Sequence, residues 1–497
     1  MKSDYKISKY PSKKLPYSTK SICPTCLIDE KKVNVLPATI TEENSEIYML
    51  KTCPTHGEFK EKIWSDSKLW DKANQLWYRS IGLNNPQVTE KDGCPLDCGL
   101  CPNHHSHTAL GLIDITLRCN LKCPICFADA GAGASSDPSP KEVVTMLKLL
   151  RGNKPIPSPG IQFAGGEPTL SEHLPSYIQQ AKNMGFNHIM VATNGVRIAE
   201  EPEYLKRMVE SGLNTVYLQF DGVTAEPYLA ARGLDLRDVK DKAIDNCRKT
   251  KIDGVILVPT IVGGVNLNQL GGIIEYALKN RDIIRCINFQ PVSITGRIDS
   301  SKREEIRVTI PDLIHGIFDQ TGGLVKPDDW YPISSMLPVG RALGLMHGRP
   351  FLELSAHPSC GMATFLVFDP EGKPHPLSEL INIESFIGAL ERVCDLYSSR
   401  MVLADARAKL TIFQQIRSIR KPWFTRGMIS NLLSSGDYDS LVGFMGSVIM
   451  LGMMHFMDPY NMDLERVQHC DIHYSTREGR LVPFCTHNNL HRECVGE

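Results

Sequence analysis

The chain has 497 residues, which is enough for two or more domains with sizeable hydrophobic cores. Its formal net charge is -1, so there is no basic excess to pair with phosphates, which argues against a nucleic-acid-binding protein. Sixteen cysteines in a chain without an export signal indicate metal or iron–sulfur ligation rather than disulfides.

The N-terminal region, residues 1–92, starts with Met-Lys-Ser-Asp and lacks the apolar core of a signal peptide, so we expect a cytoplasmic protein. Two motifs, Cys23-Pro-Thr-Cys26 and Cys53-Pro-Thr-His56, flank alternating stretches that predict a small β ribbon. Their C-x2-C…C-x2-H spacing predicts a mononuclear iron or zinc site. A structural role is favoured because closed tetrahedral sites commonly hold small ribbons together, although an iron there could also relay electrons.

The next segment, residues 93–110, carries a first cysteine triad. Cys94, Cys98 and Cys101 are spaced C-x3-C-x2-C and are followed by three histidines within residues 104–107. No strand precedes this triad, and we interpret it as the site of an auxiliary 4Fe–4S cluster with a distant fourth ligand. A zinc site completed by one of the histidines is the alternative.

Residues 111–297 predict six strands alternating with helices. The strand segments are GLIDITLR, IQFAGG, HIMVATNG, TVYLQFDG, GVILVPTIVGG and RCINFQPV. This alternation is typical of a parallel sheet with right-handed crossovers and with ligand sites at the C-terminal ends of the strands. Six repeats predict an α/β fold of the partial (β/α)6 barrel type, and a doubly wound sheet is the second choice.

A second triad, Cys119, Cys123 and Cys126, repeats the C-x3-C-x2-C spacing directly after the first of these strands. Three thiolates suit three corners of a cubane 4Fe–4S cluster and leave one iron open to a small molecule. Three ligands of a zinc site are the alternative, but zinc knuckles usually use C-x2-C pairs.

The motif FAGGEPTL, residues 163–170, ends the second strand. Gly165 and Gly166 let the backbone approach a ligand closely, and Glu167 offers an acceptor for an ammonium group. This motif is weak by itself, but it is specific when it lies on the strand after a C-x3-C-x2-C triad.

The combination resembles the radical S-adenosylmethionine (SAM) superfamily over roughly residues 110–295. The resemblance implies that Cys119, Cys123 and Cys126 hold a cluster whose open iron binds SAM, and that reduction of the cluster yields a 5′-deoxyadenosyl radical. It also implies SAM contacts at four strand ends: Gly165, Gly166, Glu167 and Pro168 for the methionine part, Thr193 and Asn194 for the ribose or carboxylate, and Asp221 and Val262, for which an ordinary turn role is equally open.

The remaining residues, 298–497, predict an α-rich domain that holds auxiliary clusters. Residues 360–376 and 470–485 both read as a cysteine, a strand, a glycine turn and a second strand. The apolar run 441–457 predicts a buried or membrane-facing helix, too interrupted to span a bilayer. The candidate ligands for one or two auxiliary 4Fe–4S clusters are Cys94, Cys98, Cys101, Cys360, Cys470, Cys485 and Cys494.

A closer resemblance covers residues from about 20 to 490. The motifs CPTC, CPTHG, GCPLDCGLCPNHHSHT, DITLRCNLKCPICFA, FAGGEPT and FMDPYNMDLERVQHCDIHYSTREGRLVPFC, in this order, resemble the archaeal tetraether lipid synthases. That family implies coupling of terminal carbons of isoprenoid chains in archaeal diether lipids, a rubredoxin-like metal site and an apolar tunnel in the C-terminal domain. It leaves room for peripheral contact with a membrane, and reductive SAM cleavage calls for an electron donor such as ferredoxin.

Two other functions stay open at this point. Relatives of this architecture include pterin methyltransferases of the 7,8-dihydro-6-hydroxymethylpterin type, which would need a compact polar pocket instead of a long apolar tunnel. A non-enzymatic iron–sulfur redox protein is the third hypothesis. It does not explain the GGEP motif, because a cluster that only transfers electrons needs no turn that binds an ammonium group.

Overall fold

The structure, a computed structural model, describes residues 6–131, 137–399, 403–417 and 446–492, together with positions 421 and 443. Two sheets organise these residues: a four-stranded antiparallel ribbon and a larger, mostly parallel sheet. Over the same residues, no helix combines the length and the apolar character that a membrane crossing requires.

The elements are numbered in chain order. The strands are β1 (Tyr17–Ile22), β2 (Val35–Glu43), β3 (Glu46–Cys53), β4 (Gly57–Trp64), β5 (Leu110–Asp114), β6 (Gly160–Ala164), β7 (His188–Thr193), β8 (Thr215–Gln219), β9 (Gly254–Val258), β10 (Thr260–Ile261), β11 (Ile284–Pro291), β12 (Tyr331–Pro332), β13 (Gly361–Phe368), β14 (Pro374–Pro376), β15 (Val448–Met454), β16 (Ile472–Ser475) and β17 (Leu481–Pro483). The helices are α1 (Pro24–Ile28), α2 (Ser67–Asn74), α3 (Pro140–Arg151), α4 (Leu174–Asn183), α5 (Val196–Glu200), α6 (Pro202–Glu210), α7 (Ala225–Arg232), α8 (Arg237–Thr250), α9 (Leu270–Lys279), α10 (Arg303–Ile306), α11 (Ile310–Gln320), α12 (Leu337–His347), α13 (Leu377–Leu380), α14 (Ile383–Ser398), α15 (Ala404–Arg417), α16 (Leu464–Gln468) and α17 (Phe484–Thr486).

The N-terminal ribbon joins β1 to β4 in sequence order. Side chains of β2 alternate, so that Leu36, Ala38 and Ile40 are buried between exposed or half-buried neighbours. The second and third of these pack into the main core of the protein, whereas Leu36 packs beside the cysteines of the CPTC and CPTHG motifs. The predicted β ribbon is therefore present, and its apolar face attaches it to the rest of the chain.

The six predicted barrel strands are confirmed. Strands β5, β6, β7, β8, β9 and β11 pair side by side in this order, and every pair is parallel. Helices α3 to α9 alternate with them, as the right-handed crossover of a parallel sheet requires. The first of these helices begins at a capping box in which Ser139 and Glu142 satisfy each other's backbone amides.

The C-terminal part of the chain extends the same sheet at both ends. Strand β16 pairs parallel with β5, and β15 pairs parallel with β11, so eight consecutive strands of the described sheet, from β15 to β16, run parallel. The two predicted cysteine-flanked hairpins are present as β13–β14 and β16–β17. The helices that were predicted in this region accompany these strands.

The helix predicted for residues 441–457 is wrong over the part that the structure describes. Residues 448–454 form β15, which lies between β11 and β13 and is hydrogen-bonded on both sides. Val448, Ile449 and Leu451 are fully or almost fully buried. A short apolar run is compatible with a buried strand and with a buried helix. Here the hydrogen bonds to β11 and β13 stabilise the strand.

A buried ionic network joins the ribbon to the barrel. Arg307 forms an ion pair with Glu61 of β4 and also donates to both carboxylate oxygens of Asp458, at 2.8 and 3.2 Å. The backbone amide of Ile294, which follows β11, donates to the same aspartate at 3.0 Å. The side chains of these three charged residues are at most 8% exposed. Because each charge has a partner, the network fixes the ribbon against the segment after β15.

Candidate functional site

A cavity of about 290 Å³ opens at the C-terminal ends of the parallel strands. Its walls include the second cysteine triad, the GGE backbone, the end of β7 and residues from β8, β9, β11, β15 and β16. Ligands of parallel α/β folds bind at this edge. The second triad and five of the eight predicted SAM residues line the cavity there.

The second triad lies on an irregular loop after β5, and its three cysteines are half-buried. Backbone hydrogen bonds join this loop to its surroundings. Gly131 N donates to Leu117 O at 2.9 Å, and Arg297 N donates to Cys126 O at 2.9 Å. The loop is therefore held at both ends, while the thiols face the cavity.

Gly165 and Gly166 press against the cysteine loop from the end of β6. A Cβ on Gly165 would lie 2.0 Å from Thr116 O, and one on Gly166 would lie 2.3 Å from Arg118 O. Gly165 also has a φ of +135°, a conformation that favours glycine. The two glycines thus allow the second strand end to pack directly onto the cysteine loop, a role that the sequence did not indicate.

The Glu167 carboxylate is 1% exposed and joins the ends of β6 and β7. It accepts hydrogen bonds from Thr193 Oγ1 at 2.7 Å and from the backbone amide of Asn194 at 2.8 Å. Thr169 donates to it through its hydroxyl at 2.5 Å and its amide at 3.2 Å. Burial raises the pKa of Glu167, and these hydrogen bonds oppose the rise. Since Glu167 also lines the cavity, an ammonium-binding role stays a prediction beside this structural one.

Other predicted SAM contacts separate into two groups. Thr193 and Asn194 line the cavity. Pro168 is buried in the turn after Glu167 and does not line it, and Val262 packs in a small apolar cluster with Val292. Contacts of Pro168 and Val262 with SAM stay predictions, and neither residue lines the cavity.

Asp221 is fully buried and holds an arginine rather than facing the cavity. Arg232 donates to both of its carboxylate oxygens, at 2.7 and 2.8 Å, and donates a further hydrogen bond to Ile125 O at 2.9 Å. Because Ile125 lies between Cys123 and Cys126, this bidentate pair supports the cluster loop. A lone arginine at the end of a helix carries no signal in the sequence, so this residue was not predicted.

Lys240 is a second buried cation that sequence reasoning missed. Its Nζ donates to Asn194 O at 2.6 Å and to Gln219 Oε1 at 2.8 Å, so it connects the ends of β7 and β8. Burial lowers the pKa of Lys240 to about 7, although Asp221 opposes this effect. Lys240 of α8 therefore fixes the C-terminal ends of β7 and β8, which border the cavity, relative to each other.

The candidate auxiliary ligands fall into two groups. In the first group, a hydrogen bond from Cys94 lowers the pKa of Cys98 to about 5, and a contact from His491 adds to this effect. His491 Nε2 also lies 3.1 Å from Pro95 O, so the C-terminal end of the described chain closes over the first triad. Cys101 follows in the same loop, and its pKa is raised by burial.

The second group comprises Cys360, Cys470 and Cys485. Cys360 and Cys485 lie near the buried guanidinium of Arg466. Burial opposes the charge of this arginine, but the two cysteines outweigh burial and raise its pKa. Burial and the same two cysteines raise the pKa of Cys470. Cys485 also lines the main cavity, so this group adjoins the SAM site. Cys494 lies outside the described residues.

The N-terminal ligands converge on one point, as their spacing predicts. His56 Nδ1 lies 3.6, 3.4 and 3.7 Å from the sulfurs of Cys23, Cys26 and Cys53, and the last two sulfurs are 3.9 Å apart. A tetrahedral zinc with bonds of about 2.3 Å places its ligand atoms roughly 3.8 Å apart. Glu30 Oε1 lies 3.2 Å from His56 Nε2, so the other ring nitrogen is free to bind metal. The four side chains thus fit a tetrahedral ion.

We expect Glu30→Gln to weaken zinc binding at this site by about tenfold, because the carboxylate orients His56 and raises its basicity. Competition with a chromogenic chelator measures the change. Glu42→Gln, on the exposed end of β2, is the matched control and should leave the affinity as it is. Equal affinities for both variants would contradict the arrangement in which His56 binds through Nδ1.

Two family models match the chain. One describes the Radical SAM superfamily and covers residues 113–277, and the other describes the HMPTM N-terminal zinc ribbon domain and covers residues 15–65. The first match agrees with the cysteine loop and the parallel strands, and with SAM and a 4Fe–4S cluster as cofactors. The second favours zinc over iron at the N-terminal site.

A Methanocaldococcus jannaschii protein named 7,8-dihydro-6-hydroxymethylpterin dimethyltransferase is 44% identical over 490 residues, which cover 96% of this chain and 94% of that protein. A Chlorobaculum tepidum GTP 3',8-cyclase is 26% identical over 209 residues, 40% of this chain and 62% of the cyclase. The crystal structure of Streptococcus suis SuiB bound to S-adenosylmethionine is 16% identical with a TM-score of 0.34, over 38% of this chain and 42% of SuiB, and it bears on no functional argument.

The first of these relatives overturns the predicted tetraether lipid synthase, because the likeness spans nearly the whole chain and the relative bears the name of a pterin enzyme. The motifs behind the lipid prediction are candidate ligands for metals and SAM, and such motifs do not indicate which substrate lies beside them. The same relative, which is named as an enzyme, also argues against the hypothesis of a non-enzymatic redox protein. The chain belongs to the radical SAM superfamily of enzymes and, within it, to the family of the Methanocaldococcus jannaschii pterin dimethyltransferase.

Proposed function

We propose that this protein is a radical SAM methyltransferase that acts on a reduced pterin of the 7,8-dihydro-6-hydroxymethylpterin type. The observation that carries the proposal is the 44% identity over 96% of the chain to a protein named for that activity. Such identity includes the cavity-forming strands β15 and β16 and not only the superfamily barrel.

The cavity wall is mostly apolar, and polar side chains interrupt it, a combination that suits a flat heteroaromatic substrate. Side chains with amide, phenol or guanidinium groups line it on several strands: Gln162, Asn194, Tyr217, Gln219, Arg232, Asn288, Gln290, Arg297 and Asn488. A fused heteroaromatic ring can use both kinds of surface, because its edge atoms form hydrogen bonds and its faces pack against apolar side chains. Apolar residues, among them Val258 and Met454, supply surfaces for the ring faces.

The proposed division of labour follows the three cysteine groups. When bound, SAM on the cluster of Cys119, Cys123 and Cys126 supplies an organic radical. The glycines of the GGEP turn, Thr193 and Asn194 orient SAM. We further propose auxiliary 4Fe–4S clusters on Cys94, Cys98 and Cys101 and on Cys360, Cys470 and Cys485, with electrons from a donor such as ferredoxin.

The test is anaerobic incubation of the cluster-loaded protein with SAM, a reductant and 7,8-dihydro-6-hydroxymethylpterin, followed by mass spectrometry. The expected products are 5′-deoxyadenosine and a pterin that has gained one or two methyl groups. A parallel incubation contains an archaeal diether lipid instead of the pterin. Unmodified pterin together with loss of hydrogen from the lipid would overturn the proposal.

A further inference from the structure

Tyr217 lies in the middle of β8 and points into the barrel, where its ring lines the cavity. Its phenolic oxygen accepts hydrogen bonds from Asn288 Nδ2 at 2.6 Å and from Gln290 Nε2 at 2.8 Å. Both amides belong to β11, and β9 lies between the two strands. The three side chains therefore form one polar group on the inner wall, which we call the Tyr217 triad.

The hydrogen-bonding capacity of the Tyr217 triad is only partly used within the described residues. A phenol has two acceptor positions and one proton to donate, and the two amide nitrogens occupy both acceptor positions. Among the described residues, nothing accepts the Tyr217 proton, and Asn288 Oδ1 and Gln290 Oε1 receive no hydrogen bond. All three side chains line the cavity, so one donor and two acceptors remain for a ligand.

The phenol stays a donor at neutral pH because burial raises the pKa of Tyr217. Apolar surface accompanies the polar groups: Val258 lies on β9, between the strands that carry them, and Asn288 Nδ2 also contacts the Met454 sulfur at 3.4 Å. A flat ring held by the triad would therefore meet apolar side chains.

We propose that the Tyr217 triad recognises the 2-amino-4-oxo pyrimidine ring of a pterin. This ring presents one carbonyl acceptor beside two N–H donors, the complement of one phenolic proton and two amide oxygens. The inference rests on the proposed function and deepens it, because it names the ring that is read and the residues that read it. The other end of the pterin then points towards the SAM-facing strand ends.

The first arm of the test uses the cluster-loaded wild-type protein with SAM and measures quenching of pterin fluorescence under anaerobic conditions. A pteridine with a 2-oxo group in place of the 2-amino group should bind about tenfold more weakly than the pterin, because an oxygen then faces an amide oxygen. Equal affinity for the two ligands would overturn the proposal without any substitution in the protein.

The second arm uses Tyr217→Phe and Asn288→Leu. Each should weaken pterin binding by about tenfold, and Asn288→Leu should reduce the preference for the 2-amino ligand. The iron–sulfur absorption and the far-UV circular dichroism of both variants should match those of the wild type, which shows that the cluster and the fold are retained. Tyr177→Phe on α4, whose ring packs against Phe163 outside the cavity, is the matched control.

The outcomes separate the two proposals. If the wild type binds and methylates pterin but Tyr217→Phe binds it equally well, the triad does not read the ring and the proposed function stands. If the wild type binds no pterin at all, both proposals are overturned. Weaker pterin binding by both variants with unchanged iron–sulfur absorption supports the inference.

Discussion

Replacing Cys123 by alanine should abolish the cleavage of SAM to 5′-deoxyadenosine. We propose Cys119, Cys123 and Cys126 as ligands to three irons of the cluster. Arg232 holds their loop through Ile125, and Arg297 holds it through Cys126. With one thiolate absent, the cluster has no stable attachment at that corner. Chromatography of the reaction products under reducing, anaerobic conditions measures the loss.

Cys247→Ala is the matched control for this variant. Cys247 is fully buried in α8, and burial raises its pKa to about 12, so it behaves as a small apolar side chain. We expect Cys247→Ala to keep its cluster absorption and SAM cleavage. Continued production of 5′-deoxyadenosine by Cys123→Ala at the rate of this control would contradict the assignment of the triad.

Asp458→Ala should lower the free energy of unfolding by about 3–5 kcal/mol, the typical cost of breaking a buried ion pair. The change leaves Arg307 with Glu61 alone and removes the acceptor of the Ile294 amide. Denaturation followed by tryptophan fluorescence measures it, because Trp64, at the end of β4, is fully buried. We expect the transition that exposes this tryptophan to move to lower denaturant concentration.

An exposed ion pair of the same ribbon is the control for this prediction. Glu43 and Lys60 are paired across the ribbon but are about half exposed, so Glu43→Gln should have no measurable effect. In the wild type, burial raises the pKa of Asp458, but Arg307 outweighs this and the net pKa is lowered. The contribution of Asp458 to stability should therefore persist at mildly acidic pH and disappear only as the pH falls below the usual aspartate range. An unchanged midpoint for Asp458→Ala would contradict the network.

The substrate shows where reasoning from the sequence failed. The resemblance to lipid synthases implied an apolar tunnel in the C-terminal domain, and residues 441–457 predicted a helix, yet residues 448–454 form β15 of the barrel sheet. Tyr217, Asn288 and Gln290 lie in three apparently ordinary strand positions, and only the pairing of β8, β9 and β11 brings them together on the inner wall. Residue type and spacing cannot show which face of a strand lines a cavity until its neighbours are known.

Local patterns by themselves predicted the cysteine loop, the GGEP turn, the four candidate metal ligands of the N-terminal site and the order of six barrel strands. Each depends on residues close in the chain, where backbone geometry limits what a spacing can build. The tertiary structure alone decided that β15 and β16 extend the barrel sheet, that Cys360 and Cys485 lie near Arg466, and that Arg232 holds the cysteine loop through Ile125. These contacts join distant segments, and they form because buried charges and strand edges must find partners wherever the fold brings them.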